Sequence, residues 1–436
     1  MSCLYAVPPR HRRRGVAHEL LDGALAHAAS HGAAAVEGYP VDVSGRDRVA
    51  SSELYHRTLS LFLDAGFREI RRPSQPPSRG APQSHRVERP WRSRRGVSML
   101  TAMKALTQDE YGSAGVLRLD DVPIPTPAPD EVLIRVAAVG VGPEVWHAVT
   151  GRPYLVRVMG YGVRRPKARI PGRDVAGTIE SVGEDVSDLA PGDEVFGSCD
   201  GGSGSLAEYA TTRADRVAPK PTNIGFEAAA AIPTSGCTAL HGVRDVGELK
   251  SGQSVLVIGA SGGVGTFAVQ IAAAMGAEVA GVCSAAKADL VRSLGVERVI
   301  DYAREDLADG AHRYDLILDT AGRRPLSRLR KALAPGGTLV IVGGEGGDRW
   351  TGGFIHRQVF ASALSPLVGQ RLRNVVSKES RDDLLDLKGF VEAGQMRPIV
   401  DRTYSLDDAA QALRDEDEGH GRGKKVVVVS STGESS

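Results

Sequence analysis

Cysteine and aromatic residues are scarce in this sequence of 436 residues. The four cysteines lie far apart and form no C-x-x-C pair, at Cys3, Cys199, Cys237 and Cys283. This spacing excludes a disulfide scaffold and a thiolate zinc cage, and it is typical of a protein in a reducing cytoplasm. Aromatic residues make up only 5% of the chain, whereas its 52 glycines indicate many turns.

Long apolar stretches and an excess of one charge are also missing. No stretch approaches the roughly 20 apolar residues of a membrane-spanning helix, and the N-terminus has no apolar signal-peptide core. The net charge is +1, so we expect neither a membrane nor nucleic acid as a partner. The charge is nevertheless uneven, because residues 1–98 hold 16 Arg, no Lys and nine acidic residues. This imbalance indicates two differently built segments.

The residue pattern divides the chain further. Residues 72–102 mix Pro, Ser, Gly and Arg without apolar periodicity and are predicted to be a basic disordered linker, and the tail 431–436 is predicted to be disordered too. Short alternating strands predict a mostly β domain over 103–231, with a return segment over 367–430. Over 232–366, continuous apolar strands alternate with helices, which predicts a parallel sheet buried on both faces.

The clearest site is a cluster of small residues between an apolar strand at 254–258 and a helix expected at 264–275. The cluster reads Gly259, Ala260, Ser261, Gly262, Gly263, Val264 and Gly265. Such a turn lets backbone amides and the helix N-terminus approach a pyrophosphate. Its position after a strand and before a helix makes this glycine pattern specific, so we predict a dinucleotide here.

The end of the next strand favours NADPH over NADH. An NAD site usually has an acid at this place, which binds the ribose hydroxyls. Here the chain instead offers the hydroxyl of Ser284 and the ammonium of Lys287 to a 2′-phosphate, with Tyr302 at the tip of the following strand. NADH remains an alternative cofactor, since Lys287 could also be a solvated residue in the first turn of a helix.

Three further motifs precede that loop, at 170–183 (IPGRDVAGTIESVG), 191–197 (PGDEVFG) and 230–240 (AAIPTSGCTAL). Together with the loop they resemble the medium-chain dehydrogenase/reductase superfamily, and within it the zinc-independent quinone oxidoreductase and enoyl-reductase branch, over about 103–429. The resemblance implies an α/β fold in which a doubly wound Rossmann sheet is inserted in a GroES-like β-barrel domain. It also implies a homodimer, with the cofactor in the cleft between the two domains.

The resemblance also implies roles for single residues. Thr238 would touch the nicotinamide, Gly343 and Gly344 would line it, and Ser284, Lys287 and Tyr302 would hold the adenosine phosphate. Zinc-dependent relatives carry a Cys and a His at two cleft positions, where this sequence reads Val-Gly-Pro-Glu at 141–144 and Gly-Arg-Asp at 172–174. Because a catalytic zinc needs about three protein ligands, mostly His or Cys, we predict no metal site.

The substrate cleft is less clear, because the Val-Asn-Pro-x-Asp pattern of quinone reductase relatives is changed here. Trp146, His147 and Tyr154 are the candidates for shaping the pocket, and His147 or Tyr154 could donate a proton. The alternative is that each is a packed loop residue. Cys237 is interpreted as a small buried side chain, since no basic partner is evident nearby.

Residues 1–71 carry a second resemblance, to the acetyl-CoA loop of GCN5-related N-acetyltransferases, an α+β fold. A strand at 4–7 and a helix at 18–30 flank the loop, whose candidate residues are Arg12, Arg14, Gly15, Val16 and Ala17. Phe62 stands where the family has a proton-donating Tyr, and the elements of the acceptor pocket are absent before Met1. We therefore expect a truncated half-domain without transferase activity, which makes acetyl-CoA a doubtful cofactor.

These observations lead to one main hypothesis and two alternatives. The main hypothesis is a zinc-independent enzyme that transfers a hydride from NADPH to a small molecule, namely a quinone, an α,β-unsaturated carbonyl compound or an aldehyde. The first alternative is a bifunctional fusion that also has acyl-CoA N-acyltransferase activity. The second is a non-catalytic NADPH-binding regulatory or RNA-binding protein that kept the fold.

Overall fold

The structure is a computed structural model, and its description covers most of the chain after residue 101. The described residues are 35–38, 41–42, 68–71, 83–84, 86–90, 102–199, 204–308, 310, 312–343, 350–352, 354–419 and 421–429. The chain divides into two compact units, Met1–Met99 and Leu100–Ser436.

The first unit contains five short described strands. They are β1 (Ala35–Gly38), β2 (Val41–Asp42), β3 (Arg68–Arg71), β4 (Gln83–Ser84) and β5 (Arg86–Pro90). β5 pairs antiparallel with both β1 and β3, and β2 pairs with β4. The acetyl-CoA loop predicted from Arg12 to Ala17 and its flanking strand and helix lie outside the described residues.

The disordered linker predicted over 72–102 is wrong for two parts of that segment. β4 and β5 lie inside it, and β5 is the central strand of the three-stranded sheet. The segment reads Arg-Val-Glu-Arg-Pro at β5, with a single apolar residue, so no hydrophobic alternation marks it as a strand. Backbone pairing on both sides, which needs no particular side chain, makes it one.

The second unit begins with a barrel-like domain built from mostly antiparallel strands. They are β6 (Ala102–Thr107), β7 (Arg118–Pro123), β8 (Glu131–Val141), β9 (Asp174–Val182), β10 (Glu194–Ser198), β11 (Tyr209–Arg213), β12 (Val217–Pro219), β19 (Val400–Ser405) and β20 (Lys424–Val428). The main sheet has the order β12-β10-β9-β8-β20-β19, β11 also pairs with β8, and β6 and β7 form a hairpin. β20 returns from the far end of the sequence to lie antiparallel to β8.

Between β12 and β19 the chain forms a six-stranded parallel sheet. Its strands are β13 (Ser254–Ile258), β14 (Glu278–Cys283), β15 (Arg298–Asp301), β16 (Tyr314–Asp319), β17 (Leu333–Ile341) and β18 (Arg371–Asn374). The order β15-β14-β13-β16-β17-β18 reverses between β13 and β16. This confirms the predicted doubly wound sheet inserted in the barrel domain, and ligands bind such sheets at that switch point.

The boundary predicted at residue 366 is too early, because β18 belongs to the parallel sheet. β18 pairs with β17 from Thr338↔Arg371 to Ile341↔Asn374. It is the last strand of its sheet and has the sequence Arg-Leu-Arg-Asn. An edge strand does not need the apolar run by which the inner strands are recognised, so the pattern did not reveal it.

Ten α-helices accompany the strands in the described part of the second unit. They are α1 (Pro143–Thr150), α2 (Tyr154–Val156), α3 (Phe226–Ala230), α4 (Pro233–Leu240), α5 (Gly263–Ala274), α6 (Ala288–Arg292), α7 (Leu326–Ala332), α8 (Phe354–Leu364), α9 (Arg381–Glu392) and α10 (Ala409–Asp417). One hydrophobic core joins α4 and α5 to the parallel sheet, and a second fills the barrel domain. Among the described helices, none is both long and apolar enough to cross a bilayer.

Candidate functional site

The turn between β13 and α5 is built by glycines that leave no room for side chains. Gly259 has a left-handed φ of 84°, and a Cβ on it would lie 2.4 Å from Thr320 Oγ1. A Cβ on Gly265 would lie 2.0 Å from the carbonyl oxygen of Gly259, so α5 packs directly on the turn. Gly262 is the extended N-cap residue, and no side chain caps the helix. The start of α5 therefore presents backbone N–H groups, as an anion site requires.

The residues predicted to hold an adenosine phosphate meet at the ends of β14 and β15. Ser284 follows β14 directly, Lys287 ends the 3₁₀ turn after it, and the half-exposed Tyr302 donates its backbone N–H to Cys283 O at 3.2 Å. The Lys287 ammonium donates to Gly421 O at 2.6 Å. The three side chains therefore belong to one surface, at the carboxyl edge of the parallel sheet.

Arg422 joins this surface from a distant part of the chain. Its guanidinium donates to the carbonyl oxygen of Ala286 at 3.2 Å. The segment that carries it also reaches the glycine turn, because Gly423 donates its N–H to Ser261 O at 2.9 Å. Sequence analysis did not single out Arg422, since it lies more than 130 residues beyond the phosphate-holding motif and no local pattern marks it.

The residues predicted near a nicotinamide lie on α4 and after β17. Thr238 is only partly buried on a helix whose other residues are buried, apart from Thr234 one turn earlier. Gly343 follows β17, and a Cβ there would meet no atom within 4 Å. Gly344 lies outside the described residues. Burial raises the pKa of the Cys237 thiol well above its ordinary value, which agrees with a packed rather than a nucleophilic side chain.

A cavity of about 280 Å³ opens in the barrel domain beside the start of α1. Its walls come from α1, from residues 159–173 and from the end of β10. The polar and ionisable residues that line it are Gln108, Glu144, Tyr161, Lys167, Arg173 and Cys199. Of the candidates proposed from sequence for this cleft, none lines the cavity.

The three sequence candidates make packing contacts instead. The rings of Trp146 and His147 are 5.3 Å apart, and His147 Nδ1 lies 2.5 Å from Arg152 O. Burial lowers the pKa of His147, so its ring is neutral at pH 7. Tyr154 stacks edge-on against Trp350 with ring centres 5.4 Å apart, and the Arg157 guanidinium lies 4.7 Å from its ring centre.

Tyr161 occupies the position in the cavity that Tyr154 does not reach. It ends a π-helical turn over Arg157–Tyr161, in which Gly160 has a φ of 130°. Burial raises the pKa of the Tyr161 hydroxyl, and the charge of Arg173 opposes that effect. Arg173 is itself paired with the buried carboxylate of Glu379. A neutral phenol and a guanidinium therefore face the same cavity.

A buried ammonium joins Glu144 and Asp174, which belong to the two stretches where zinc-dependent relatives carry metal ligands. Lys424 Nζ lies 3.2 Å from Glu144 Oε1 and 3.3 Å from Asp174 Oδ2. The other oxygen of Asp174 accepts hydrogen bonds from the backbone N–H and the hydroxyl of Thr234, at 2.9 and 2.5 Å. Burial raises the pKa of Asp174 to about 6, against the opposing charge of Lys424.

Comparison with known proteins gives two matching families. The description "Alcohol dehydrogenase GroES-like domain" matches residues 128–222, and "Zinc-binding dehydrogenase" matches residues 294–427. The first match covers the barrel strands β8 to β12, and the second covers the later strands of the parallel sheet and the return to the barrel.

Individual relatives span nearly the same part of the chain. A 2-methylene-furan-3-one reductase of Solanum lycopersicum is 32% identical over 343 residues, which cover 76% of this chain and 80% of that protein. A quinone oxidoreductase of Mus musculus is 32% identical over 337 residues, covering 75% and 98%. The solved quinone oxidoreductase of Coxiella burnetii superposes with a TM-score of 0.65 at 26% identity, covering 76% of this chain and all of that one.

Proposed function

The chain belongs to the medium-chain dehydrogenase/reductase superfamily, and from this premise we propose that it reduces small electron-poor molecules with NADPH and without zinc. It is an oxidoreductase with a nicotinamide cofactor, as the NADPH- and NAD(P)H-dependent oxidoreductases among its relatives are. The proposal adds the phosphate form of that cofactor, the independence from metal and the substrate class. That class comprises quinones, α,β-unsaturated carbonyl compounds and aldehydes.

The observation that carries the proposal is the glycine turn before α5. Gly259 and Gly265 approach the surrounding backbone so closely that even a methyl group would collide. A turn that served only to connect a strand and a helix would not need this clearance together with an uncapped helix start. The turn also lies beside the switch point of the parallel sheet, where dinucleotides bind in such folds.

The adenosine end supports NADPH over NADH. β14 ends at Cys283 and is followed by Ser284, so no acid stands at its tip. Asp301 at the end of the neighbouring β15 forms an ion pair with Arg304. Lys287 and Arg422 bring two cations to the same surface, and cations beside a phosphate form strong, charge-assisted hydrogen bonds.

One of the two matching family descriptions implies zinc, and the residues present do not fit it. The carboxylates of Glu144 and Asp174 are paired with the Lys424 ammonium, and the neighbouring Arg173 is itself a cation, so neither stretch offers free ligands to a metal ion. In the described part of the chain, His241, Asp245 and Asp383 form a group with metal-ligand spacing. Arg244 binds both of those carboxylates, at 2.6 and 2.8 Å, so a cation of the chain itself is already bound there.

The cofactor, when bound, supplies a hydride from its nicotinamide ring. The protein must orient the acceptor, exclude water and stabilise the negative charge that develops on the substrate oxygen. Arg173 carries a positive charge into the cavity, and the Tyr161 hydroxyl is a proton donor in the same walls. We therefore assign charge stabilisation to Arg173 and protonation of the product to Tyr161.

Exposed apolar side chains beside the cavity favour apolar substrates. Leu155 and Val158 lie just before the segment 159–173 that forms one wall, Met159 and Val163 lie within it, and Met159 lines the cavity itself. Val158 and Met159 are 70% and 71% exposed, respectively. Trp350 approaches the same segment, since its carbonyl oxygen accepts the N–H of Leu155 at 3.2 Å. We call Leu155, Val158, Met159, Val163 and Trp350 the apolar rim.

The test is turnover of the full chain with NADPH and with NADH, using a benzoquinone, an enone and an aldehyde in the presence of a metal chelator. We expect chelator-resistant oxidation of NADPH, at least about tenfold more efficient than that of NADH, because two phosphate contacts are lost with NADH. Loss of turnover with the chelator would refute zinc independence. Binding of NADPH without oxidation by any acceptor would favour the non-catalytic alternative.

A further inference from the structure

Lys424 is a buried cation that lies between two carboxylates from different strands. Its side chain is 3% exposed, that of Asp174 is fully buried, and that of Glu144 is 16% exposed. Two residues before Glu144 is Gly142, on which a Cβ would lie 2.6 Å from Glu144 Oε2 and 2.7 Å from Lys424 Nζ. The φ of Gly142 is −152°, which any residue can adopt, so the space needed by this ion pair explains the glycine.

The backbone and stem of Lys424 contact the glycine turn. Its neighbour Gly423 donates to Ser261 O at 2.9 Å and forms a parallel bridge with Gly262. A Cβ on Gly263 would lie 3.1 Å from Lys424 Cδ, so the lysine stem packs against the first residue of α5. Lys424 thus helps to hold the phosphate-binding turn in place.

The two carboxylates connect the ammonium to the other parts of the site. Glu144 lines the substrate cavity at the start of α1. Asp174 binds Thr234 at the start of α4, the helix that carries Thr238 one turn later. The side chain of Lys424 therefore touches the phosphate turn. Glu144 links it to the cavity wall, and Asp174 links it to the helix that carries Thr238.

We propose that Lys424 is a positioning residue that couples occupation of the phosphate turn to the geometry of the substrate cavity. This inference rests on the proposed function, because it concerns the same cofactor and cavity. The ammonium fixes Glu144 and Asp174 relative to each other, as a metal would fix two ligands. Its stem transmits to both carboxylates any shift that a bound pyrophosphate imposes on Gly263.

Charge and geometry are separable experimentally. Removing Lys424 alone leaves two buried carboxylates without a cation, which is strongly destabilising. Lys424→Met combined with Glu144→Gln removes one charge of each sign and keeps the net charge of the cluster. Gly142→Ala keeps every charge, and its Cβ displaces the ammonium from its place. Lys424→Arg keeps a cation in a different shape.

The measurements are the melting temperature, the NADPH dissociation constant from fluorescence and kcat and KM with an enone. We expect the Lys424→Met and Glu144→Gln double variant to stay folded at the assay temperature with a lower melting temperature than the parent, because the buried Asp174 loses its cation and must take up a proton. Its kcat should nevertheless fall at least about twentyfold and its NADPH affinity at least about fivefold, as for a misplaced catalytic group. Gly142→Ala should show the same two losses to a smaller extent, and Lys424→Arg should retain most of the activity.

The matched control is Lys425, the next residue of β20. It is also buried, and its ammonium forms a comparable pair with Glu416 at 2.6 Å. We expect Lys425→Met with Glu416→Gln to leave kcat and NADPH affinity unchanged. If the Lys424 double variant and Gly142→Ala both fold and keep parental kinetics, Lys424 is only structural and the inference is overturned. If the parent lacks turnover, the proposed function fails, while NADPH affinity in the same variants still tests the link to the phosphate turn.

Discussion

The phosphate turn and the substrate cavity are built from different materials. The turn uses seven consecutive residues, and its decisive contacts are between backbone atoms, as at Gly265 and Gly259. The cavity is assembled from side chains between Gln108 and Cys199, and Glu144 in its wall is held by Lys424, 280 residues away in the sequence. The turn fails when an added atom has no space, because its contacts are between backbone atoms. The cavity fails when a charged side chain loses its partner. Substitutions should therefore damage the two regions in different ways.

The largest effect should follow when a methyl group is added to the turn. In Gly265→Ala the new Cβ collides with Gly259 O at 2.0 Å, so α5 must move away from the turn. We expect NADPH affinity to fall by more than about 10²-fold, because a shift of about 1 Å misplaces every amide that binds the pyrophosphate. Isothermal titration with NADPH measures it.

Gly389→Ala is the matched control for that variant. Gly389 lies within α9, and a Cβ there meets no atom within 4 Å. The variant should bind NADPH normally and gain about 0.5–1 kcal/mol in free energy of unfolding, since alanine favours a helix. Parental affinity in Gly265→Ala would mean that the turn does not hold the phosphates.

The next largest effect is expected in the cavity, for a substitution that removes only the hydroxyl group of Tyr161. Tyr161→Phe should lower kcat by about 10²-fold, as loss of a general acid does, with little change in NADPH affinity. Because burial raises the pKa of this hydroxyl, its proton is retained through the neutral range. In the parent, kcat should therefore stay constant through the neutral range and fall only above the ordinary pKa of a tyrosine, and Tyr161→Phe should lack that fall.

Tyr154→Phe serves as the comparison, because Tyr154 packs against Trp350 outside the cavity lining. It should change kcat less than about threefold, as substitutions away from special features usually do. If Tyr154→Phe is slower than Tyr161→Phe, Tyr154 is the proton donor and Tyr161 is not.

A smaller effect should distinguish the two cofactors. Replacing Lys287 and Arg422 by Met removes two cations from the adenosine surface. We expect KM for NADPH to rise about 10- to 30-fold, the size of a lost charged hydrogen bond, while KM for NADH hardly changes. Lys331→Met, at an exposed position on α7, should change neither value. An equal rise with both cofactors would place these cations away from the 2′-phosphate.

The same contrast between the two regions explains what the sequence could predict. The phosphate turn, the strand Ser254–Ile258 and the helix after it were predictable, because glycine spacing and apolar periodicity act over a few neighbouring residues. Lys424 and Arg422 were not, because their partners lie far away in the chain. Tyr154 and Tyr161 lie seven residues apart, and no local pattern shows that the π-helical turn containing Gly160 brings Tyr161 rather than Tyr154 into the cavity wall.

The smallest effect is expected at the apolar rim, whose side chains would contact a substrate only through apolar surface. A buried methylene contributes about 0.8 kcal/mol, and half of that at a partly open surface, so each added carbon of a 2-alkenal should raise kcat/KM about twofold. In Val158→Ser with Met159→Ser, this dependence on chain length should disappear, while the shortest alkenal reacts as with the parent. Leu385→Ser, at a 40% exposed position on α9, should keep the dependence. If the rim variant keeps the chain-length dependence, the substrate tail does not contact these residues. Substrate selection would then be determined by the paired charges of the cavity.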